Sequence, residues 1–404
     1  MSYSTPSPAA PHGAPTLPMP GTVTWTDPQR EAAFLAWLEG VAQDHGLAPA
    51  SLRVASADAS FRRYLRVGVR PDSAAFRPGE VPSRVIMDAP PDQENCAPFV
   101  HVASVMAAAG LNVPQVLNWN QAQGFMLLTD LGSQTMMDAI APADPGANQA
   151  LYLQAVDTLI AWQLASKPGV LPPYDKALLQ RELALFPDWY LQQHRGVTVD
   201  SAQRNTLENI FSLLVEHTLR APSVYVHCDF MPRNLMTPTL GTDVSSLPPK
   251  GAVSPRGGPA AKSMVPNTGL GILDFQDATY GPITYDIASL MRDAFLSWEE
   301  DFVLDITVRY WEKARKAGLP VGDDFGEFYR AVEWMGLQRH LRILGVFARL
   351  TLRDGKPKYL ADTPRFIAYI RATAARYREL KPLLRLIDQV EGIQEVSGFA
   401  YGRM

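Results

Sequence analysis

Residues 223–236 read Ser-Val-Tyr-Val-His-Cys-Asp-Phe-Met-Pro-Arg-Asn-Leu-Met. The apolar run Val224-Tyr-Val226 has the length and β-branched character of a buried strand. It runs into His227-x-Asp229, and Asn234 lies five residues after the acid. A tight loop brings Asp229 and Asn234 close together. Downstream, Gly271-Ile-Leu-Asp274-Phe-Gln-Asp277 is a second apolar strand that ends in an acid. Phosphoryl transfer needs a carboxylate near the acceptor hydroxyl and an amide oxygen that reaches a metal. Asp274 adds a charged oxygen of the kind Mg²⁺ prefers. Taken singly, His227 is a packed loop histidine, Asp229 a turn former and Asn234 a cap. Taken together, with Asp274 following a second strand, they point to metal-assisted chemistry.

Working outward, 404 residues give room for two to three domains at about 150 residues each, or for one bilobal unit with extensions. Apolar residues make up 47% and charged residues 19%, an ordinary globular mixture. Thirty-seven basic and forty-one acidic side chains leave a net charge of −4, so no global field attracts nucleic acid or anionic lipid. Cys96 and Cys228 cannot build a disulfide framework or a Cys-rich zinc site. No apolar run approaches the roughly 18 residues that a membrane span needs. Residues 1–24 are Pro-rich, without the charged start and apolar stretch of a secretory signal, and read as a disordered tail. A cytoplasmic location and a monomer are expected.

Structure is expected from Trp25, with a helix capped at Thr26 or Asp27 and a stripe of Phe34, Leu35, Trp37, Leu38 and Val41. Strands around 51–56, 61–69, 84–87 and 124–129 follow, with a helix near 97–109. After about residue 133 helical patterns dominate: 148–166, 175–194, 202–219, 285–296, 301–317, 325–351 and 363–390. A strand-rich first part (25–132) and a helix-rich second part (133–404) imply an α+β chain of two lobes, a small antiparallel sheet lobe and a larger helical one. Residues 237–269, rich in proline and glycine and without a helical period, read as a flexible insertion.

The catalytic segments resemble those of the aminoglycoside phosphotransferase family, a branch of the protein-kinase-like fold. That resemblance implies Asp229 as catalytic base, Asn234 and Asp274 as Mg²⁺ ligands, and Asp286, in Gly281-Pro-Ile-Thr-Tyr-Asp286, as the acid that braces the catalytic loop, with His227 in support. It makes Leu127-Leu-Thr-Asp-Leu-Gly132 the hinge, whose backbone at Thr129 and Leu131 binds adenine. His-Cys-Asp-Phe-Met-Pro-Arg-Asn, Leu-Asp-Phe-Gln-Asp-Ala, Asp-Ala-Ser-Phe-Arg-Arg-Tyr and Met-Asp-Ala-Pro-Pro are similar, more narrowly, to the anomeric kinases of cell-wall amino sugars. Those enzymes use ATP to phosphorylate the C1 hydroxyl of N-acetylmuramate and N-acetylglucosamine in peptidoglycan recycling.

The chain departs from the protein-kinase pattern in one important respect. Protein kinases place a lysine on the third strand to neutralise nucleotide phosphates, whereas this chain has Met87-Asp88 there and no lysine before Lys167. Phe61, Arg63, Leu65 and Val67 share one strand face, so Arg63, oriented by Glu94, is a candidate substitute; a surface arginine is the other reading. Ser60 offers a hydroxyl and an N–H to a phosphate. Cys228 reads as a small packed thiol. Around Asp229, Arg233, Gln276, Asp277 and Arg292 are candidates for the sugar, and an arginine suits the lactyl carboxylate of muramate. The leading expectation is a small-molecule kinase acting on an amino sugar. Aminoglycosides or other small metabolites as acceptors, and a catalytically silent kinase-like binding protein, stand as alternatives.

Overall fold

The computed structural model describes residues 23–57, 61–76, 81–141, 143–238 and 269–394. Most of the proline-rich tail, Ser60 and nearly all of the insertion at 237–269 lie outside the described residues. By its internal contacts the chain divides into two compact units, Met1–Cys96 with Val116–Asp130, and Ala97–Gln115 with Leu131–Met404.

In the first unit, α1 (Pro28–Asp44) starts where Asp27 caps it, Oδ1 accepting the N–H groups of Gln29 at 2.8 Å and Arg30 at 3.3 Å, with Pro28 in the first turn. Five strands follow: β1 (Leu47–Ala57), β2 (Arg63–Val69), β3 (Ser83–Asp88), β4 (Val116–Asn120) and β5 (Phe125–Thr129). They form one antiparallel sheet in the order β1-β2-β3-β5-β4. Alternate residues of β2, Leu65, Val67 and Val69, point to one face and are buried. There they meet Phe34, Leu38 and Val41 of α1, together with Ile86, Phe125 and Leu127. The face beside Arg63 is therefore the packed core beneath α1.

The second unit opens with α2 (Ala97–Ala108), which the sequence reading placed in the first lobe. Phe99 on α2 stacks on Phe275 with centroids 4.9 Å apart, which ties the helix to this unit. Then come α3 (Met136–Ala139), α4 (Pro145–Leu164), α5 (Lys176–Leu185), α6 (Ser201–Arg220), β6 (Ser223–Val226), β7 (Leu235–Met236), β8 (Gly271–Ile272), β9 (Thr279–Pro282), α7 (Tyr285–Met291), α8 (Glu300–Lys316), α9 (Phe325–Leu352), α10 (Thr363–Arg376) and α11 (Lys381–Glu391). Three helices differ from the expected spans. The segment 175–194 is α-helical only to Leu185 and then widens into a π-helical turn over Phe186–His194. The helix expected over 285–296 stops at Met291, and Asp293 Oδ1 accepts the N–H groups of Phe295 and Leu296 at 2.5 and 2.8 Å, a local alternative to helical bonding. The expected helix 363–390 is broken at Tyr377, whose backbone is extended.

The 28-residue α9 packs against α5, α6, α7, α10 and the π-helical turn. Its Gly345 is a point of close approach, because a Cβ there would overlap the backbone of Leu185, where α5 ends. On an exposed helix Gly→Ala gains up to about 1 kcal/mol. Gly345→Ala is instead expected to lose about 1–3 kcal/mol through overpacking, read as a lower urea midpoint. An unchanged or raised midpoint would show that the contact can relax.

Candidate active site

β6 pairs antiparallel with β9 and buries Val224, Tyr225 and Val226, so its end is fixed in the core of the second unit. From there the chain enters His227-Cys228-Asp229 with Cys228 at φ +77°. That left-handed conformation costs an L-residue about 1–2 kcal/mol. Asp286, fully buried on the first turn of α7, holds the turn: Oδ2 accepts the His227 N–H at 2.7 Å and Oδ1 the Cys228 N–H at 3.1 Å. Burial pushes the Asp286 carboxyl up to about 7, while the two N–H donors and the Arg339 charge pull the other way. The Cys228 thiol is buried 3.5 Å from the Thr279 hydroxyl, and burial drives its pKa up, as suits a packed thiol.

His227 fixes the next step of the loop. Its Nδ1 accepts the Asp229 N–H at 3.2 Å, so Nε2 carries the proton and donates to the Leu273 carbonyl at 3.0 Å. Burial lowers its pKa to about 4, so the ring is neutral near pH 7. Leu273 follows β8, which pairs with β7, and the Leu273 N–H donates to the Asn234 carbonyl at 2.9 Å. The histidine thereby locks the two acid-bearing segments together. Asn234, in a 3₁₀ turn at Pro232–Asn234, donates from Nδ2 to the Asp229 carbonyl at 3.0 Å and to Asp274 Oδ2 at 3.4 Å. Asp274 itself has φ +62°, and among the described residues it and Cys228 are the only non-glycine positions of positive φ. Strain of this kind clusters where surrounding structure imposes a working geometry.

Asp229, Asn234 and Asp274 thus converge. Their donors are hard oxygens, one amide and one carboxylate beside a second carboxylate. Mg²⁺ is usually held by one or two protein carboxylates, with water and phosphate completing the shell, and this donor set fits it. Among the described residues no cluster of three or more His, Cys, Asp or Glu has the arrangement of a protein-only metal cage.

The other expected site residues fall variously. Gln276 donates from Nε2 to Asp274 Oδ1 at 2.9 Å, steadying the acid. Asp277 is exposed. Arg233 is exposed, its guanidinium 4.6 Å from the centroid of the Phe295 ring. Arg292 is buried, and its Nη2 is 2.9 Å from both carboxylate oxygens of Glu300, which matches its charge. Thr129 closes β5, paired with Arg84, and the Leu131 side chain lies against Gly271.

Glu94 serves a different arginine from the expected one. It was expected to orient Arg63, but its Oε2 accepts from Arg62 Nε at 3.1 Å and its Oε1 from the Phe61 N–H at 3.3 Å. Strand parity explains the exchange. Arg63 lies on the α1 side of the sheet, where it pairs with Asp88 Oδ2 at 2.6 Å, donates to the Thr24 carbonyl at 2.9 Å and stacks 3.8 Å from the centroid of Trp25. Asp88 also binds Arg30. Arg62, one residue earlier, faces the other way.

Sequence reasoning missed Arg339 and Arg342, neighbouring turns of α9. Arg339 is 1% exposed with Nη2 3.9 Å from Asp229 Oδ1. Arg342 pairs with Glu182 at 3.1 Å and donates to the Tyr285 hydroxyl at 3.2 Å. The available signal was Gln338-Arg-His340, three consecutive polar residues directly after the apolar run Trp334–Leu337, a break in a simple amphipathic pattern.

The profile of the phosphotransferase enzyme family APH matches residues 51–243 and 264–325. An N-acetylmuramate/N-acetylglucosamine kinase of Neisseria meningitidis is 43% identical over 375 residues, 92% of this chain and all of the relative. One from Pseudomonas aeruginosa is 43% identical over 369 residues, 90% of this chain and 97% of the relative. Among solved structures, Plasmodium vivax ethanolamine kinase superposes with a TM-score of 0.54 at 11% identity, covering 89% of this chain and 90% of that one. The GDP complex of aminoglycoside 2′-phosphotransferase-IIIa gives 0.53 at 14% identity, covering 86% and 99%. These two likenesses extend to the protein-kinase-like fold alone. The profile match over most of the chain, and relatives of 43% identity along nearly their whole length, establish that this chain belongs to the phosphotransferase enzyme family APH.

Proposed function

We propose that the protein is an ATP-dependent kinase that phosphorylates the C1 hydroxyl of N-acetylmuramate and N-acetylglucosamine in the cytoplasm. The observation that carries this reading is the convergence of Asp229, Asn234 and Asp274 in a chain 43% identical to kinases named for those two sugars. Asp229 accepts the proton of the sugar hydroxyl as the oxygen bonds to the γ-phosphorus. The bond from that phosphorus to the β,γ-bridging oxygen breaks, and ADP leaves with the electron pair. Asn234 and Asp274 would hold Mg²⁺, which when bound supplies positive charge to the phosphate oxygens. Backbone groups at Thr129 and Leu131 are the candidates for adenine. In place of Arg63, Arg62 is the candidate phosphate cation of the first unit, because it is largely buried and oriented by Glu94 as an ion pair.

With Arg292 matched by Glu300, Arg233 is the remaining candidate for the lactyl carboxylate. Arg233→Ala is expected to raise KM for N-acetylmuramate by about tenfold or more, the worth of a charge-assisted hydrogen bond. KM for N-acetylglucosamine, which lacks that carboxylate, should stay within about twofold. Equal effects on both sugars would remove the assignment.

The function itself is tested by incubating the protein with ATP, Mg²⁺ and each sugar and locating the phosphate by ³¹P NMR. A C1-phosphate is expected. Transfer to an aminoglycoside or choline-like acceptor, with none to either sugar, would overturn the reading.

A further inference from the structure

Three acids surround one buried cation in the second unit. Arg339, on α9, pairs with Asp229 at 3.9 Å and acts electrostatically on Asp286 and Asp293. Its Nε and Nη1 are buried and, among the described residues, without a hydrogen-bond partner. Burying a guanidinium with its donors unmatched is costly. The guanidinium also lies 5.3 Å from the centroid of the Tyr285 ring, but a cation–π contact is worth less than burying the charge costs, so packing alone does not explain it.

The three acids are not equal claimants on it. Asp286 already accepts two backbone N–H groups. Asp293 Oδ1 accepts two more, and its Oδ2, though buried without a hydrogen-bond partner among the described residues, makes no ion pair with Arg339 within 4 Å. The Asp229 carboxylate receives no hydrogen bond among the described residues, and Arg339 is the one cation within 4 Å of it. Its backbone is tied to His227 and Asn234, and while Arg342 also acts on the carboxylate electrostatically, Arg339 is the cation that pairs with it. A gap of 3.9 Å is long for a charge-assisted hydrogen bond, and such contacts often tighten only when substrate is bound.

We propose that Arg339 is the positioning residue for Asp229: its Nη2 draws Oδ1 of the carboxylate inward, which leaves Oδ2 for the hydroxyl of the acceptor. The proposal rests on Asp229 being the base. Arg339 touches no substrate, being 1% exposed, so it acts through the acids around it, and Asp229 is the one it pairs with.

The test compares Arg339→Met and Arg339→Lys, alone and in the Asp229→Asn background, with whichever acceptor supports wild-type turnover. Misplacing a reacting group by about 1 Å costs on the order of 100-fold, so Arg339→Met should lower kcat about 100-fold with both KM values within about twofold. Arg339→Lys keeps the charge and should recover part of that loss. In the Asp229→Asn background, Arg339→Met should cost less than about threefold more, because residues that act as a unit are not additive. The proposal is overturned if Arg339→Met keeps kcat within threefold of wild type, if Arg339→Lys recovers none of the loss, or if the loss appears in KM. It is equally overturned if the losses multiply in the double variant, or if circular dichroism shows both single variants unfolded, which would make the guanidinium a packing part. An unchanged rate in Asp229→Asn alone would instead sink the assignment of the base, a separate and recognisable result.

Discussion

Asp229→Asn is expected to lower kcat by about 10²–10⁴-fold, the range set by losing a positioned general base, with KM for ATP within about twofold. The substitution is nearly isosteric and leaves the local backbone bonds intact, since these involve the Asp229 N–H and carbonyl rather than its side chain. The loop keeps its other anchors, the two N–H bonds into Asp286 and the His227 bond to Leu273. What disappears is the proton acceptor and the charge facing Arg339. Because the Asp229 side chain is 35% exposed and the Arg339 contact is 3.9 Å long, the fold should survive, with an unchanged circular dichroism spectrum. A variant that turns over within tenfold of wild type would remove Asp229 from the chemistry.

How much of the site is legible in the sequence depends on how local the signal is. Asp229, Asn234 and Asp274 lie at the ends of short apolar strands, and their spacing fixes both their segment and their direction. Asp286 owed its expected role to the family resemblance, since an acid opening a helix after Gly281-Pro282 reads equally as a helix N-terminal charge. Arg62 and Arg63 show where the reading reached its limit. Alternation alone correctly grouped Arg63 with Leu65 and Val67, but it could not say which face α1 covers. That face carries the core, so Arg63 is drawn to Asp88 and Trp25, and Glu94 goes to Arg62.

The partner of Arg292 and the place of Arg339 beside Asp229 were hidden for a longer-range reason. Nothing near Arg292 in the sequence announces Glu300 as its partner eight residues on, across the break that Asp293 imposes after α7. Arg339 lies more than a hundred residues from Asp229 along the chain, in a helix whose periodicity reads as core. Helical pattern identifies a buried face, but not which buried positions carry charge. The break at Tyr377 was hidden likewise: the apolar period runs through it, while the backbone turns extended.

Asp274→Asn is expected to have an effect of similar size through a different route. Asparagine tolerates the left-handed backbone at φ +62° and keeps the side-chain volume, so the β8 end should retain its path. The substitution removes the formal charge available to Mg²⁺. It also replaces one carboxylate oxygen with an N–H₂ group. Gln276 Nε2 and Asn234 Nδ2 both donate to Asp274, so one of them would then face a donor and have to turn away. If it is Asn234, its bond to the Asp229 carbonyl is disturbed as well. Metal charge stabilisation of phosphoryl transfer is worth several kcal/mol, so kcat/KM should fall by about 10³-fold. In wild type, ATP should raise the thermal unfolding midpoint more with Mg²⁺ than with EDTA; in Asp274→Asn the two should coincide. Should the variant keep both its turnover and the Mg²⁺-dependent part of that stabilisation, the metal is held elsewhere and the convergence of Asn234 with Asp274 serves only to join two strands.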